Sequence, residues 1–392
     1  MKIMSQMTTE WTEYELGELL SYEQPTPYIV ESTDYSDSYD TPVLTAGKSF
    51  IIGYTNETSG IYDKLPVIIF DDFTTSTQYV NFPFKVKSSA MKILTANTEL
   101  VIPKFIFYRM QIIEFDHSTH KRYWIQQYSK IKVKIPAIPE QEKIVAKIEE
   151  LFSELDNGVE TLKKTKQQLT VYRQAVLKEA FNFNGDDIID TDLNHIISVL
   201  TDYHANGSYE TLKANVTLLD TPDYAIMVRS TNYENNDFSN DVKYINKHSY
   251  DFLKKSQLFG NEVLMGKIGN AGRVYFVKKL DKPMSLAMNM FAMRFNEEID
   301  SKYVYYYLLS PTAKRDIKKY VKGVGTPTID KKSVRAIKIQ YPQSKLLQQE
   351  IVQEIESKLS VCDSIEQTVD TAFQQAEAMR QSILKKAFEG SF

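Results

Sequence analysis

Residues 144–183 read IVAKIEELFSELDNGVETLKKTKQQLTVYRQAVLKEAFNF, and residues 351–390 read IVQEIESKLSVCDSIEQTVDTAFQQAEAMRQSILKKAFEG. The two stretches align without a gap over forty positions, and fifteen of these positions are identical. They begin 207 residues apart in a chain of 392 residues, so the repeat is about half the length of the chain. Internal duplication on this scale predicts a tandem of two similar halves.

The apolar residues of both stretches recur at steps of three and four over several heptads. This spacing is typical of a coiled-coil seam and predicts one long helix for each stretch. At about 1.5 Å per residue, forty helical residues form a rod of roughly 60 Å. The predicted seam of the first helix comprises Ile144, Ile148, Leu151, Leu155, Val159, Leu162, Leu169, Tyr172, Val176 and Ala180. The predicted seam of the second comprises Ile351, Ile355, Leu359, Cys362, Ile365, Val369, Phe373, Ala376, Met379, Ile383 and Ala387.

Two rods of equal length in one chain can bury their apolar stripes against each other. A parallel pairing would place the intervening domains badly, whereas an antiparallel pairing places one domain near each end and gives a pseudo-two-fold molecule. We therefore predict an antiparallel coiled coil. Two unrelated helices, each packed on its own domain, are the alternative that the repeat disfavours.

The remaining segments contain short β-type runs separated by Gly, Asn, Asp and Pro, such as PVIIFDDF from Pro66 and NEVLMGKIG from Asn261. Helical pieces such as SKYVYYYLLSPTAKRDIKKYV from Ser301 interrupt these runs. The mixture predicts an α+β fold whose two domains have irregular β-structure. The predicted segments are a first domain at 1–139, a central helix at 140–183, a second domain at 184–343 and a C-terminal helix at 344–392.

An apolar content of 42% over 392 residues is enough to build two or three buried cores. The single cysteine, Cys362, excludes an intramolecular disulfide and fits a reducing compartment. The N-terminal sequence MKIMSQMTTEWTEYE lacks the apolar segment that a signal peptide needs, and no later apolar run has membrane-spanning length. These features predict a soluble, cytoplasmic protein.

The net charge of −4 disfavours nucleic-acid binding at first sight, but the charges are distributed unevenly. Residues 85–134 include ten Lys/Arg and three acidic residues, and residues 302–338 include ten Lys/Arg and two acidic residues. Acidic stretches at 10–72 and 186–251 precede these basic blocks. Either block alone is most simply explained as a solvated surface. Two blocks in matching positions before both predicted rods favour nucleic-acid binding.

The candidate DNA contacts are cations that bind phosphates and amides that can read base edges. In the first domain they form a set with two aromatic neighbours: Lys85, Lys87, Lys104, Lys121, Arg122, Tyr123, Trp124, Gln126, Gln127 and Lys130. In the second domain the loop GKIGNAGR contributes Lys267, Asn270 and Arg273. A cationic helix that leads into the loop GVGTPT contributes Lys314, Arg315, Lys318, Lys319, Lys322, Thr326 and Thr328.

Motifs typical of enzymes fail on inspection. The stretch PVLTAGKS at 42–49 is close to a phosphate-binding loop, but Pro42 stands where the first glycine is required, and the following FIIGY predicts a strand instead of a helix. The Asn/Asp-Pro-Pro-aromatic motif of amino-methyltransferases is absent, since the chain has no Pro-Pro dipeptide. His117 and His120 lack further ligands at metal-binding spacing. We therefore predict no catalytic centre, metal or cofactor in this chain.

Two variable domains, each followed by a long helix, resemble the specificity subunits of type I restriction-modification systems. The stretch IPAIPEQEKIVAKIEELF from Ile135 carries the resemblance, and IKIQYPQSKLLQQEIV from Ile337 is a looser version of it. In the second stretch, Gln348 stands in place of the first acidic residue. The segments LPVIIFDDFTTSTQYVNFPF and GKIGNAGRVYF also look like recognition domains of this family, although FDDFT at 70–74 departs from the usual FGDHT.

The resemblance implies a subunit that has no catalytic centre and binds double-stranded DNA. Each recognition domain is expected to read one part of a split, asymmetric DNA sequence. The rods are expected to set the gap between the two parts and to dock two modification subunits, which use S-adenosylmethionine to methylate adenine. Restriction subunits that use ATP and Mg would join them in the full complex.

Two other classes of function remain possible. A structural coiled-coil adaptor that binds only proteins is the first alternative. A DNA-binding protein would bind more weakly as salt rises, because several phosphate contacts release counterions, and this dependence separates the two. The second alternative is a self-contained DNA enzyme, which the missing motifs disfavour.

Overall fold

The computed structural model describes residues 11–45, 49–116, 122–183 and 187–390. The chain divides into two compact units. Unit 1 contains the residues up to 163 together with those from 370 onward, and unit 2 contains residues 164–369. The division passes through both long helices, so each unit holds one globular domain and a part of each rod.

Unit 1 is a mixed α and β structure. Its strands are β1 (Thr12–Glu15), β2 (Leu20–Glu23), β3 (Thr41–Leu44), β4 (Ile51–Thr55), β5 (Val67–Asp71), β6 (Thr77–Val80), β7 (Lys85–Val86), β8 (Met91–Ala96) and β9 (Lys132–Ile135). Its short helices are α1 (Leu16–Leu19), α2 (Pro103–Met110) and α3 (Tyr123–Gln126), with 3-10 turns at Thr26–Tyr28 and Tyr128–Lys130. The first rod, α4 (Ile138–Ala180), follows β9. The strands form an antiparallel sheet in the order β2-β8-β5-β6, a second sheet in the order β4-β3-β7, and the pair β1-β9.

Unit 2 repeats this plan. Its strands are β10 (Ile188–Asp192), β11 (Ile197–Asp202), β12 (Ala225–Val228), β13 (Lys243–Ile245), β14 (Gln257–Leu258), β15 (Val263–Gly266), β16 (Val274–Phe276), β17 (Met284–Leu286), β18 (Met290–Phe295) and β19 (Lys338–Pro342). Its helices are α5 (Leu193–Ile196), α6 (Tyr209–Asn215), α7 (Ser230–Glu234), α8 (Lys247–Phe252), α9 (Ser301–Leu309), α10 (Pro311–Tyr320) and α11 (Lys331–Ala336), with 3-10 turns at Tyr203–Asn206 and Lys254–Ser256. The second rod, α12 (Lys345–Phe388), follows β19.

The sheet topology confirms the predicted tandem repeat. Unit 2 has an antiparallel sheet in the order β11-β18-β15-β16, which matches β2-β8-β5-β6 strand for strand. The segments β1-α1-β2 and β10-α5-β11 open the two units, and the pairs β1-β9 and β10-β19 each end in the strand that leads into a rod. The remaining sheets differ, since unit 2 has four strands in the order β13-β12-β17-β14 where unit 1 has three. The fold is α+β, as predicted.

The ends of the rods belong to the hydrophobic cores of the units. In unit 1 the core contains Ile148 of α4 and Leu384 of α12, together with residues of the β2-β8-β5-β6 sheet and α2. In unit 2 it contains Leu177 of α4 and Ile355 of α12, together with α9 and the β11-β18-β15-β16 sheet. Burying such a side chain contributes about 1.5–3 kcal/mol. Among the described residues, no helix combines the length and apolarity that crossing a membrane requires.

Ion pairs between the rods show that they run antiparallel, as predicted. Within unit 2, Arg173 of α4 pairs with Asp363 of α12 at 2.6 Å. Within unit 1, Asp156 of α4 pairs with Arg380 of α12. From Asp156 to Arg173 the residue numbers rise along α4, while those of their partners on α12 fall from Arg380 to Asp363, so the two helices run antiparallel. The two pairs are related by the repeat, so the aligned arginines and aspartates of the sequence make the same contact twice.

The predicted coiled-coil seam is wrong at three exposed residues: Tyr172, Ile365 and Met379, which are 49%, 40% and 53% exposed. Their neighbours Arg173, Glu366 and Arg380 are partly buried instead. Arg173 bonds to Glu366 at 2.8 Å, and the Arg380 guanidinium lies 4.7 Å from the ring centroid of Phe152. Polar side chains therefore occupy the positions between the two helices where the prediction placed Tyr172, Ile365 and Met379. The other predicted seam residues are buried or half-buried: Ile144, Ile148, Leu151, Leu155, Val159, Leu162, Leu169, Val176, Ala180, Ile351, Ile355, Leu359, Cys362, Val369, Phe373, Ala376, Ile383 and Ala387.

A buried glutamine joins each rod to its domain. Gln141 is fully buried, and its side chain accepts a hydrogen bond from the Ile102 N–H (2.8 Å) and donates to two backbone carbonyls. Gln348 is also fully buried, and it makes the equivalent three bonds with Asp300, Glu298 and Pro342. Gln348 is therefore the counterpart of Gln141. The alignment of Gln348 with an acidic residue of the first rod was wrong, because the structure places the two glutamines in the same position.

Candidate nucleic-acid interface

Three segments of unit 2 meet at one surface. Loop A (residues 267–273) joins β15 to β16, and loop B (residues 322–330) follows the cationic helix α10. Residues of both loops and of α10 line a groove of about 670 Å³, including Asn270, Arg273, Lys314, Lys318 and Pro327. The structure therefore brings together candidate DNA contacts that are more than forty residues apart in the sequence.

Backbone hydrogen bonds hold loop A against loop B. Ile268 of loop A forms an isolated β-bridge with Thr328 of loop B. The N–H of Gly269 donates to the carbonyl of Pro327 at 2.9 Å. Within loop B, Lys322 and Thr328 exchange two backbone hydrogen bonds of 2.9 and 2.8 Å. These bonds satisfy polar backbone groups of both loops, so the two loops present one continuous surface.

Asp202, the last residue of β11, ties the same two segments together. Its side chain is 8% exposed, and its two carboxylate oxygens pair with Lys267 of loop A (2.8 Å) and Lys331 after loop B (3.0 Å). Burial alone would raise the pKa of Asp202, but the hydrogen bonds and charges of the two lysines outweigh it, so that the pKa lies below its ordinary value. Asp202 therefore stays ionised at neutral pH. Lys267 pairs with it, although a quarter of the Lys267 side chain is still exposed at the surface.

The helix α10 packs directly on loop A. Gly272 has a φ of +82°, and a Cβ atom built on it would lie 2.6 Å from Cγ2 of Ile317, which is 4% exposed. This position therefore needs glycine both for its left-handed backbone and for the close approach of the helix. Any larger residue would push α10 and its lysines away from the loop.

Replacing Gly272 by alanine is expected to lower the free energy of unfolding by about 3 kcal/mol, since the left-handed backbone costs about 1–2 kcal/mol and overpacking a similar amount. Gly269→Ala is the matched control, because Gly269 has a φ of +77° but nothing within 4 Å of its Cβ position. It should lose only the backbone part. Urea denaturation measures both variants. Equal losses would show that the close contact with Ile317 has no energetic weight.

The cations of α10 lie on the exposed side of the helix. Ser310 caps the helix by accepting a hydrogen bond from the Ala313 N–H at 3.2 Å. Lys314 and Lys318 are one turn apart and exposed, so they lie on the same side of the helix beside the groove. Lys319 is exposed but pairs with Asp316 at 3.1 Å. The exposed candidates of this unit are Arg273, Lys314, Arg315, Lys318, Lys319, Lys322, Thr326 and Thr328.

Unit 1 has an equivalent pair of segments. The loop at 72–76 joins β5 to β6, as loop A joins β15 to β16. The N–H of Tyr123 donates to the carbonyl of Asp72 at 3.0 Å, and in unit 2 the N–H of Ile329 donates to the carbonyl of Lys267 at 3.0 Å. The same connection between the sheet and the segment before the rod is thus made in both units.

Tyr123 and Trp124 were predicted as DNA contacts, but both are core residues and are only 1% exposed. The Trp124 ring packs on Phe70 with centroids 5.2 Å apart, and the backbone N–H of Trp124 donates to the Asp72 carboxylate at 2.8 Å. The short helix α3 therefore turns both rings inward. The polar residues around them remain available on the surface: Arg122, Gln126, Gln127 and Lys130 are exposed.

Two of the lysines predicted to contact DNA are engaged elsewhere in unit 1. Lys85 is 2% exposed and pairs with Glu57 at 2.8 Å, and this bond lowers the pKa of the Glu57 carboxyl. Its burial contradicts the prediction, because the ammonium is enclosed by the fold. Lys104 lies on α2 and pairs with Glu149 of the rod α4. Lys87 is exposed after β7, and Lys121 lies outside the described residues.

Several residues of the unit 2 surface were not predicted from the sequence. Asp202 and Lys331 are 129 residues apart, so no local pattern links them. Glu234 accepts hydrogen bonds from Asn270 and from the Tyr275 hydroxyl, and nothing in its own segment indicates this. Val324 is fully exposed in loop B, where an apolar residue between two glycines in GVG was a usable signal. An apolar side chain there can contact thymine methyl groups.

The described residues contain no group of three or more histidine, cysteine, aspartate or glutamate residues placed to hold a metal ion. His117 and His120 lie outside the described residues, as does 46–48 of the stretch PVLTAGKS. The segment that follows this stretch is the strand β4, as FIIGY predicted.

The duplicated arrangement has a counterpart among known proteins. The family model described as the type I restriction modification DNA specificity domain matches residues 8–171 and matches again at 204–371. The chain belongs to this specificity family. Each of the two matches extends into a rod, so the repeat of the sequence is a duplication of the family domain together with its helix.

Curated members of the specificity family include close relatives of part of the chain. It is 42% identical over 193 residues to the "Type I restriction enzyme EcoR124I/EcoR124II specificity subunit" of Escherichia coli, a match that covers 48% of the chain and 46% of that subunit. The chain spans about half the length of the curated relatives it matches.

Two solved structures share the fold of this specificity-family chain. A chain of a type I R-M system, solved to explain complex assembly and conformational transition, aligns with a TM-score of 0.69, 15% identity, and coverage of 97% of this chain and 98% of that one. The HsdS subunit from Thermoanaerobacter tengcongensis aligns with a TM-score of 0.53, 15% identity and 97% coverage of both chains. Likeness at this level of identity concerns the fold.

Proposed function

We propose that this chain is the non-catalytic specificity subunit of a type I restriction-modification complex and acts in the cytoplasm. Each unit reads one half of a bipartite, asymmetric sequence in double-stranded DNA. The rods dock two methyltransferase subunits, which methylate adenine with S-adenosylmethionine. Restriction subunits use ATP and Mg to cleave DNA that lacks the methyl groups. The chain itself supplies recognition and no cofactor.

The repeated loop surface is the observation that carries this proposal. In both units, the loop after the third strand of the four-stranded sheet is bonded to the segment that precedes the rod. Exposed cations and amides surround this contact, with Gln126 and Gln127 in unit 1, and Arg273 and Lys314 in unit 2. Cations position a protein on phosphates, and amides and arginines read base edges. Two surfaces of one design suit a target in two parts.

Exposed apolar side chains on the rods support the docking role. In unit 2, Val171 and Tyr172 of α4 are 70% and 49% exposed, and Val361 and Ile365 of α12 are 58% and 40% exposed. Exposed apolar side chains of this size can be covered when a protein partner binds. Partner subunits would cover them.

The test is to purify the chain with its methyltransferase subunits and to map N6-methyladenine on a plasmid treated with the complex. We expect methylation at a single asymmetric motif in two parts with an unread gap between them. Exchanging residues 184–343 for the second domain of another family member should change one half of the motif and leave the other unchanged, because each unit has its own loop surface.

The controls separate this function from a protein adaptor. Binding of the complex to its motif should weaken steeply with salt, with a slope that reflects the number of phosphate contacts. A stable complex that methylates no particular sequence and binds DNA without this salt dependence would contradict the proposal and favour the adaptor. Methylation of a contiguous motif would contradict reading by two units.

A further inference from the structure

We propose that Glu234 is a specificity-determining residue of unit 2, which competes with DNA for the hydrogen-bonding groups of loop A. This inference rests on the proposed function, because it concerns how the loop surface tells its target from other DNA. Glu234 is the last residue of α7 and belongs to none of the segments that the sequence analysis connected with DNA.

One carboxylate oxygen of Glu234 contacts three side chains of the candidate surface. Its Oε1 accepts hydrogen bonds from the Asn270 amide and from the Tyr275 hydroxyl, the latter at 3.1 Å. The same oxygen lies 3.7 Å from Nη1 of Arg273. The Glu234 side chain is 28% exposed and that of Arg273 is 63% exposed, so both can be reached from solvent.

A carboxylate at this place needs an explanation, because it opposes the charge of its surroundings. Arg273, Lys314 and Lys318 line the adjoining groove, and their charges attract a phosphate backbone. A negative charge among them repels the same backbone and lowers its affinity. If Glu234 only filled space or capped a helix, an uncharged residue would serve equally well in its place.

The groups that Glu234 holds are those that can read bases. Asparagine bonds in bidentate fashion to adenine, and arginine does so to guanine. While Asn270 and Arg273 are turned toward Glu234, they are less available to the phosphates of any DNA that arrives. A matching base pair offers hydrogen-bonding groups in the right geometry and can replace the carboxylate, whereas at a wrong base pair Asn270 and Arg273 keep their contacts with Glu234.

The consequence is discrimination by competition. At the correct sequence Asn270 and Arg273 exchange the carboxylate for the base, whereas on other DNA they stay with Glu234 and add no phosphate contacts. The carboxylate therefore weakens binding to incorrect sequences more than binding to the target, which widens the difference between the two affinities. The ligand that Asn270 and Arg273 would bind is the major-groove edge of a base pair in the half-site read by unit 2.

Glu234→Gln tests this proposal in the assembled complex with the methyltransferase subunits. Glutamine keeps an oxygen that accepts from Asn270 and Tyr275, but it removes the negative charge. Fluorescence anisotropy would compare a duplex with the complete methylated motif and one whose second half is scrambled. We expect affinity for the scrambled duplex to rise about fivefold to tenfold at low salt and affinity for the target to change less than twofold. The plasmid methylation pattern should spread to motifs with errors in that half.

Asp251→Asn is the matched control, since it makes the same change in net charge at an exposed carboxylate that pairs with Lys247 on its own helix. It should leave the ratio of the two affinities unchanged. Equal gains for both duplexes in Glu234→Gln would overturn the proposal, because the residue would then act only as a repulsive charge. Loss of target binding alone would overturn it as well, by showing a supporting role. A wild-type complex with no preference between the duplexes would instead contradict the proposed function itself.

Discussion

Replacing Asp202 by asparagine is expected to lower the free energy of unfolding of unit 2 by about 2 kcal/mol and to remove recognition of one half of the DNA target. Removing one partner of a buried ion pair costs about 3–5 kcal/mol, and the exposure of Lys267 and Lys331 (25% and 42% of their side chains) reduces this cost. The loss of recognition follows because Lys267 belongs to loop A and Lys331 follows loop B, so that Asp202 connects the two loops that form the surface.

The same residue predicts a dependence on pH. The folded-state pKa of Asp202 lies below its ordinary value of 3.8, so its contribution to stability is complete above pH 3.8 and is lost as the pH falls through the lower folded value. The wild type should therefore lose more stability than Asp202→Asn when the pH is lowered below 3.8. Urea denaturation at neutral pH and at a series of pH values below 3.8 measures this difference.

Asp281→Asn, an exposed acidic residue between β16 and β17, serves as the control and should change neither stability nor the methylated motif. If Asp202→Asn has the same free energy of unfolding as the wild type and its complex methylates the complete motif, the loops do not need the carboxylate to hold them together. If stability falls while the motif is unchanged, Asp202 supports the fold but does not position the DNA surface.

Replacing Gln348 by alanine is expected to lower the free energy of unfolding of unit 2 by about 3 kcal/mol, since each buried group that loses its partner costs about 1–3 kcal/mol. The side chain is fully buried and bonds to the Asp300 N–H at 2.8 Å and to the carbonyls of Glu298 and Pro342 at 3.3 and 3.0 Å. Alanine lacks the amide group and leaves its three backbone partners unpaired.

Gln349→Ala is the matched control, because Gln349 is the exposed neighbour on the same helix and should change stability by less than about 0.5 kcal/mol. Gln141→Ala should destabilise unit 1 as Gln348→Ala destabilises unit 2, since both glutamines make the same three bonds. Urea denaturation measures the losses, and hydrogen exchange of the Asp300 amide reports the lost bond directly. Similar stabilities for Gln348→Ala and Gln349→Ala would contradict the role of the buried side chain.

Large parts of the architecture were readable from local patterns. The forty-residue repeat predicted two equal helices, and the structure has α4 and α12 over those stretches, paired antiparallel. The β-type runs between Gly, Asn and Asp predicted irregular α+β domains, and the topology repeats in both units. The loops GKIGNAGR and GVGTPT were each identified from the sequence as candidate DNA contacts, and the structure places them together in unit 2.

The candidate site was harder to predict than the fold. Lys85, Tyr123 and Trp124 have residue types suited to nucleic acid, yet each is buried against residues far away in the sequence. The Trp124 ring, for example, packs on Phe70, and the backbone N–H of Trp124 donates to Asp72, 52 residues away. Composition and spacing record which residues are present, but they do not record the side on which a short helix such as α3 meets the core.

The sequence by itself determined the duplication, the two long helices and the family, because these depend on periodicity and on motifs that a single strand of residues displays. Only the tertiary structure decided which cations remain on the surface, which side chains Asp202 and Glu234 contact, and that Arg173 and Arg380 occupy positions expected for apolar residues. These outcomes depend on contacts between residues far apart in the chain, and the free energy of such contacts arises only when folding brings the groups together and removes water from them.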